Sequence, residues 1–99
     1  MDFKVILSPL ALDDLQEIVR YIAVDDPNAA ERLGTRLINV ADTLRKLPHR
    51  GTKVRQRPGV RKILFSPYLI FYQTDDAARC VKVLRFWHGA RDLKKLRLD

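Results

Sequence analysis

SPLALDDLQEIVRYIAVDDPNAAERLGTRLINVADTLRK, residues 8–46, is the stretch of sequence that decides the fold. Ser8-Pro9 predicts a helix start, because a serine side chain caps free backbone N–H groups and proline suits the first helical position. Asp26-Pro27 repeats this signal. It therefore ends the first helix and starts a second one, which is predicted to run to about Lys46.

Apolar residues recur at helical spacing in both halves of this stretch. They are Leu12, Leu15, Ile18, Val19 and Ile22 in the first half, and Leu33, Leu37, Val40, Ala41 and Leu44 in the second. Each helix therefore has one apolar face. Two such helices with a short connection between them predict an antiparallel helical hairpin.

Four segments rich in β-branched and aromatic residues are predicted to be strands. They are Phe3–Leu7 before the hairpin, and Val60–Phe65, Tyr68–Thr74 and Cys80–Trp87 after it. Ser66-Pro67 is predicted to form a tight turn. Residues 91–98 are predicted to form one or two helical turns or a tail. The order predicts an α+β fold over a single domain, residues 1–99. An N-terminal strand and the helical hairpin precede a three-stranded antiparallel meander, all in one small sheet with the hairpin on one face.

The charge is unevenly divided along the chain, whose net charge is +7. Residues 1–44 hold four basic and eight acidic side chains, whereas residues 45–99 hold fifteen basic and four acidic ones. The second part is either a solvated basic surface or an attractive surface for nucleic acid or an acidic protein segment. No apolar run is long enough to span a membrane and the start lacks a signal-peptide pattern, so we expect a cytoplasmic protein.

Few residues suit metal, cofactor or nucleophilic chemistry. Cys80 is the single cysteine, which excludes an internal disulfide and a cysteine-based zinc cluster. Both serines precede a proline, where cap and turn roles explain them. His49 and His88 are far apart, and Asp92 close to His88 does not complete a ligand set. We therefore expect no metal and no cofactor.

Basic residues on the predicted strands are a better indication of function. Arg61 and Lys62 are adjacent and point to opposite faces, and Lys82 and Arg85, three positions apart, also point to opposite faces. An outer sheet face carrying Arg, Lys, Tyr and His suits a phosphodiester, whose cleavage needs acid–base groups and charge stabilisation. The alternative is that these residues only keep the sheet soluble.

The segment His88-Gly89-Ala90-Arg91-Asp92 has a structural explanation beside a chemical one. Gly89 would turn the chain with a positive φ, Asp92 would cap the terminal helix or pair with an arginine, and His88 would end the strand half-exposed. The chemical alternative is a histidine beside an Arg-Asp pair.

The sequence resembles the RelE/ParE superfamily of bacterial toxins from type II toxin–antitoxin operons. The resemblance rests on matched pieces in family order along nearly the whole chain. These pieces are Leu7-Ser8-Pro9 to Leu15, Tyr21-Ile22-Ala23, Asp26-Pro27 to Ala30, Leu47-Pro48 to Gly51, Val60-Arg61-Lys62-Ile63, Pro67-Tyr68 to Tyr72, and His88 to Asp92.

Within this superfamily the chain is more similar to the ParE branch. The resemblance assigns signature positions to Tyr68, His88, Gly89, Arg91 and Asp92, and it implies inhibition of DNA gyrase. The RelE branch implies instead a ribosome-dependent mRNA endoribonuclease, in which Arg61, Arg85 and His88 would act. RelE-type enzymes usually carry a catalytic Tyr or His near the C-terminus, and none follows Asp92 here. A third alternative is a member that binds its antitoxin but has lost toxicity.

The resemblance also implies partners. An acidic, ParD-like antitoxin from the same operon would hold the toxin inactive in a hetero-oligomer, and specific DNA binding by this chain alone is not expected. Apolar positions of the hairpin are the predicted antitoxin contacts, with packing inside the core as the alternative for each. They are Leu15, Ile18, Tyr21, Ile22, Leu33 and Leu37.

Overall fold

The computed structural model of the protein describes residues 2–98, so Met1 and Asp99, the ends of the predicted domain, lie outside the described residues. Two helices and five strands form an α+β fold, with short 3-10 turns at Thr43–Arg45 and Leu93–Lys95. The elements in chain order are β1 (Lys4–Leu7), α1 (Pro9–Ala23), α2 (Pro27–Asp42), β2 (Thr52–Lys53), β3 (Val60–Phe65), β4 (Tyr68–Asp75) and β5 (Cys80–His88).

The helical hairpin starts where the caps predict. The Ser8 hydroxyl accepts a hydrogen bond from the Ala11 N–H at 3.1 Å, and the Asp26 carboxylate accepts one from the Ala29 N–H at 3.0 Å. A proline follows each cap at the first helical position. The second helix is shorter than predicted, because its regular part ends at Asp42 and a 3-10 turn takes over. Tightening of the last turn in this way is common at helix ends.

The sheet has the strand order β1-β5-β4-β3-β2. The predicted meander is confirmed, since β3, β4 and β5 pair antiparallel in sequence. The sheet as a whole is mixed, because β1 pairs parallel with the start of β5. It also contains β2, which was not predicted because its two residues are too few to show an alternating pattern.

A bulge in β5 changes which side chains share a face. The residue opposite Phe71 is Arg85, whereas the residue opposite Tyr72 is Val83, so Leu84 is an extra residue in the ladder. An extra residue reverses the alternation from that point on. Lys82 and Arg85 therefore both lie on the face away from the helices, and the prediction that they point to opposite faces is wrong.

Both faces of the sheet are covered by apolar side chains. The helix side carries the main core, which includes Leu37, Ile70, Tyr72 and Phe86. The outer side carries a second cluster made of Val60, Phe71, Leu84, Trp87 and Leu96. The prediction that Tyr and His line the outer face is therefore wrong, since Tyr68 and Tyr72 belong to the main core and His88 lies opposite Tyr68.

The C-terminal residues 93–98 form a strap across this outer cluster rather than a longer helix. Leu96 is buried in the cluster and Leu98 packs against it. The side chain of Arg57 donates to the Leu96 carbonyl at 3.3 Å, and Asp92 caps the 3-10 turn by accepting from the Lys94 N–H at 2.9 Å. The strap completes the burial of Trp87, which is 1% exposed.

Tyr72 joins the meander to the loop after α2. Its hydroxyl accepts a hydrogen bond from the Gly51 N–H at 2.8 Å, inside the core. A Cβ on residue 51 would lie 2.6 Å from that hydroxyl, so the approach requires glycine. Burial raises the pKa of Tyr72, against the opposing effects of the Gly51 hydrogen bond and of Arg61 and Arg50.

We expect Tyr72→Phe to lower the free energy of unfolding by about 1–3 kcal/mol, because the buried Gly51 N–H loses its acceptor. Tyr21→Phe is the matched control, since Tyr21 is 82% exposed and has no such bond. Urea unfolding of both variants measures the difference. Equal stability of the two variants would contradict this role of the hydroxyl.

Candidate functional site

The edge of β5 is the feature from which the candidate site is built. β1 pairs only with Cys80–Val83, so the second half of β5 has no strand on that side. The start of α1 takes over this position. Ser8 donates from its N–H to the Val83 carbonyl and from its hydroxyl to the Leu84 carbonyl, both at 2.9 Å. Six residues further along the chain, the Asp14 carboxylate accepts from the Phe86 N–H at 3.1 Å.

Asp14 and Arg85 form an ion pair at this edge. The guanidinium donates from Nε and Nη2 to the two carboxylate oxygens, at 2.7 and 2.8 Å. Its third nitrogen donates to the Arg97 carbonyl at 2.6 Å, so Arg85 connects α1 to the strap. The Asp14 hydrogen bond is the main cause that raises the pKa of Arg85. Such planar, two-bond pairs are the stronger kind of ion pair.

A groove of about 370 Å³ lies beside this ion pair, between α1 and the end of β5. The side chains that line it from α1 include Ile18 and Tyr21, and those from the sheet include Tyr68, Phe86 and His88. Arg91, after the end of β5, also lines it. The groove therefore brings together two sets of predicted residues, one from the antitoxin contacts and one from the family signature.

His88 is oriented by its neighbours. Its Nδ1 accepts a hydrogen bond from the Ala90 N–H at 3.0 Å, so in this geometry the ring proton is on Nε2. The ring meets that of Tyr68 edge to face, with centroids 5.4 Å apart. Tyr68 lies in the core below, and burial raises the pKa of its hydroxyl. His88 is half-exposed at the strand end, as the structural explanation predicts.

Gly89 has a different role from the predicted one. Among the described residues only Gly59 is a glycine with positive φ, so the prediction of a positive φ at Gly89 is wrong. Its N–H donates to the Pro67 carbonyl at 2.7 Å, and a Cβ would lie 3.0 Å from the same oxygen. A glycine suits the position because the β3–β4 turn comes so close.

Arg91 lies over the outer face of the sheet end. Its guanidinium carbon is 3.9 Å from the centroid of the Trp87 ring, and that of Arg85 is 5.1 Å away. A cation stacked on tryptophan is held by the ring's negative face. Asp92 acts as the cap of the following turn, which was one of its two predicted roles.

The three residues predicted for a nuclease are not assembled. Arg61 donates to the Gly51 carbonyl at 2.8 Å. Phe65 is the β3 residue that pairs with Tyr68, which in turn pairs with His88. Arg61 lies four positions before Phe65, so it is about 13 Å away from these residues along the strand. Arg85 uses its nitrogens on Asp14 and on the strap. Only His88 opens into the groove.

A second feature is a basic cleft near the other edge of the sheet, beside β2 and the start of β3. It has a volume of about 500 Å³, and four cationic side chains line it: Lys53, Arg55, Arg57 and Arg61. His49 borders it and is held by Asp76 at 2.8 Å. The sequence indicated a basic loop but not that β3 completes it as a cleft. Within residues 2–98, no group of three His, Cys, Asp or Glu side chains is placed to hold a metal ion.

The predicted antitoxin contacts differ in what they expose. Tyr21 is almost free of neighbours, whereas Leu15, Ile18 and Leu33 pack partly against the main core. Ile22 is half-buried. Leu37 is wrong as a contact, because it is 0% exposed and has no surface for a partner.

Sequence reasoning missed Asp14 and Val24. Asp14 is buried although it is charged. The feature of the sequence that could have indicated this burial is its position on the apolar face of α1, between Ala11 and Ile18. Val24 is 84% exposed at the end of α1 and extends the apolar surface begun by Tyr21. Separately, none of the helices described is long and apolar enough to cross a bilayer.

Comparison with known proteins identifies relatives over most of the chain. Residues 5–93 match the family model described as the ParE toxin of the type II toxin–antitoxin system parDE. The toxin RelE1 of Caulobacter vibrioides is 36% identical over 93 residues, which is 90% of this chain and 96% of that protein.

Two solved structures share the fold. The chromosomal ParDE system of P. aeruginosa superposes with a TM-score of 0.75 at 19% identity, over 87% of this chain and 95% of the other. The toxin–antitoxin complex RelBE2 of Mycobacterium tuberculosis superposes with a TM-score of 0.69 at 24% identity, over 89% and 99%.

We expect Asp14→Asn to lower the free energy of unfolding by about 3–5 kcal/mol, because it leaves the guanidinium of Arg85 without its charge partner in a nearly buried position. Asp13→Asn, one residue away and exposed, removes the same charge and should change stability by less than about 0.5 kcal/mol. Urea unfolding measures both. A comparable loss in the two variants would mean that the ion pair has no special role.

Proposed function

Because the chain belongs to the ParE toxin family of type II toxin–antitoxin systems, we propose that it acts by binding and inhibiting DNA gyrase. In this proposal it is a protein-binding inhibitor and not an enzyme. It works in the bacterial cytoplasm and is neutralised by an acidic, ParD-like antitoxin in a hetero-oligomer.

The use of Arg85 is the observation that best supports a binding role. An arginine that stabilises a phosphorane must aim its free N–H groups at the reacting phosphate. Arg85 instead donates two hydrogen bonds to Asp14 and one to the strap, and Arg61 lies in a distant row of the sheet. With no Tyr or His after Asp92, His88 has no acid–base partner from the tail.

Charge and exposed apolar surface support the antitoxin partner. Tyr21 and Val24 stand out from α1 at one end of the hairpin, and large exposed apolar groups in one place are typical of interaction sites. The groove lies next to Tyr21. The excess of basic residues after position 44 favours an acidic partner.

A RelE-like mRNA endoribonuclease is the second candidate function. The basic cleft supports it, because four cations around one cavity suit a phosphate backbone. The name of the Caulobacter relative, a RelE toxin, also favours it. A member without toxicity is the remaining alternative.

Expression without antitoxin, followed by parallel assays, separates these functions. We expect plasmid supercoiling by gyrase to fall within minutes while total mRNA stays intact, because the chain would bind gyrase and lack an assembled nuclease site. Gel analysis of plasmid topoisomers and northern blots of abundant transcripts measure the two effects. Purified chain added to purified gyrase tests whether the effect is direct.

Lys53→Ala/Arg55→Ala is the informative variant, since both side chains are exposed and line the basic cleft. If the wild-type chain cleaves transcripts and leaves supercoiling normal, and the variant no longer cleaves them, the protein is a nuclease and the proposal of gyrase inhibition is wrong. Normal growth, supercoiling and mRNA would support the loss of toxicity.

A further inference from the structure

We propose that the groove between α1 and the end of β5 binds one acidic, apolar anchor segment of the antitoxin, with its carboxylate on Arg91 and His88. The inference rests on the proposed antitoxin partner and adds the chemistry of the contact. The occupant is a large apolar side chain with an Asp or Glu close to it in sequence.

The middle of the groove is apolar. Phe86 and Tyr68 form its base, and Ile18 forms the side on α1. The volume of about 370 Å³ holds one or two large side chains but not a whole helix. Tyr21 stands at the rim, 82% exposed, where it can cover an inserted side chain.

The acidic residue at the base of the groove does not repel a carboxylate. Both oxygens of Asp14 accept hydrogen bonds from Arg85, and one also accepts from the Phe86 N–H. The pair is nearly buried and has no net charge. Glu17, on α1, is the other carboxylate of the lining, and His88 and Arg91 come from the sheet side.

Two donors are free at the sheet side. Arg91 rests its flat face on Trp87 at 3.9 Å, and its guanidinium makes no hydrogen bond to another described residue, so its N–H edges are available. His88 uses Nδ1 on the Ala90 N–H, which leaves the Nε2 proton for a ligand. A stacked, oriented guanidinium loses little side-chain entropy when it binds a carboxylate.

Charge complementarity selects the antitoxin segment as the occupant. The groove combines an apolar middle with a donor pair, and this chemistry fits a segment that carries both an apolar anchor and a carboxylate. A phosphate backbone lacks the apolar anchor and fits the basic cleft better. A second copy of this chain would bring its own basic surface.

A double-mutant cycle tests the contact. Overlapping peptides of the antitoxin from the same operon are titrated into the intact chain. Binding is followed by calorimetry and by the emission of Trp87, the single tryptophan, which reports on Arg91. In the best peptide each Asp or Glu is then replaced by Asn or Gln. We expect one replacement to weaken binding to the wild-type chain about tenfold or more, and to have almost no effect on binding to Arg91→Met.

Arg79→Met is the matched control, because it removes the same charge at the other end of β5, in the turn before Cys80. Tyr21→Ser should weaken binding of every peptide that contains the apolar anchor. The groove contact is wrong if Arg91→Met and Arg79→Met weaken peptide binding equally. It is also wrong if replacing the peptide's carboxylate still weakens binding to Arg91→Met.

Full-length antitoxin separates this inference from the proposed function. If it binds the wild-type chain and Arg91→Met equally well, the groove contact is wrong and the toxin–antitoxin pairing stands. If it does not bind the wild-type chain at all, the pairing and the groove contact are both wrong.

Discussion

The edge of β5 is the constraint on which the rest of this structure depends. On its side away from β4, this nine-residue strand has a partner strand along only four residues, and the remaining backbone groups on that side need other partners. Ser8 and Asp14 satisfy these groups from the first turns of a helix, and Arg85 neutralises the carboxylate that does so. Removing either partner of a buried ion pair is strongly destabilising. Asp14 and Arg85 are therefore needed together to hold α1, the sheet and the strap in contact.

Local chemistry made the helices and the meander predictable. Caps at Ser8 and Asp26 and the apolar periodicity act over a few residues, so they can be read without knowing the fold. Pairings between distant segments could not be read in this way. The parallel pairing of β1 with β5 joins positions 76 apart, β2 has two residues, and the bulge at Leu84 exists only in the register of β5 against β4.

The candidate site was predictable in its members more than in its geometry. The resemblance named His88, Arg91 and Tyr68, and helical spacing named Ile18 and Tyr21, but nothing in the pattern indicated that they share one groove. Acidic residues are favourable near a helix N-terminus, so the local sequence accounts for Asp14 without any contact to the sheet. Its actual role depends on a backbone N–H of Phe86, 72 positions away, which no local pattern can show.

The pairing of β1 with β5 has a consequence for the synthesis of the protein. β1 can pair only after β5, the last strand, has been synthesised. The two walls of the groove are likewise distant in sequence, since they come from residues 14–21 and 68–91. Closing so long a loop costs entropy that is recovered only when the final strand pairs, so the groove forms as a late and cooperative event. A nascent or truncated chain that stops before Cys80 has neither the completed sheet nor the groove. Such a fragment therefore offers no groove to a partner that would recognise the finished surface.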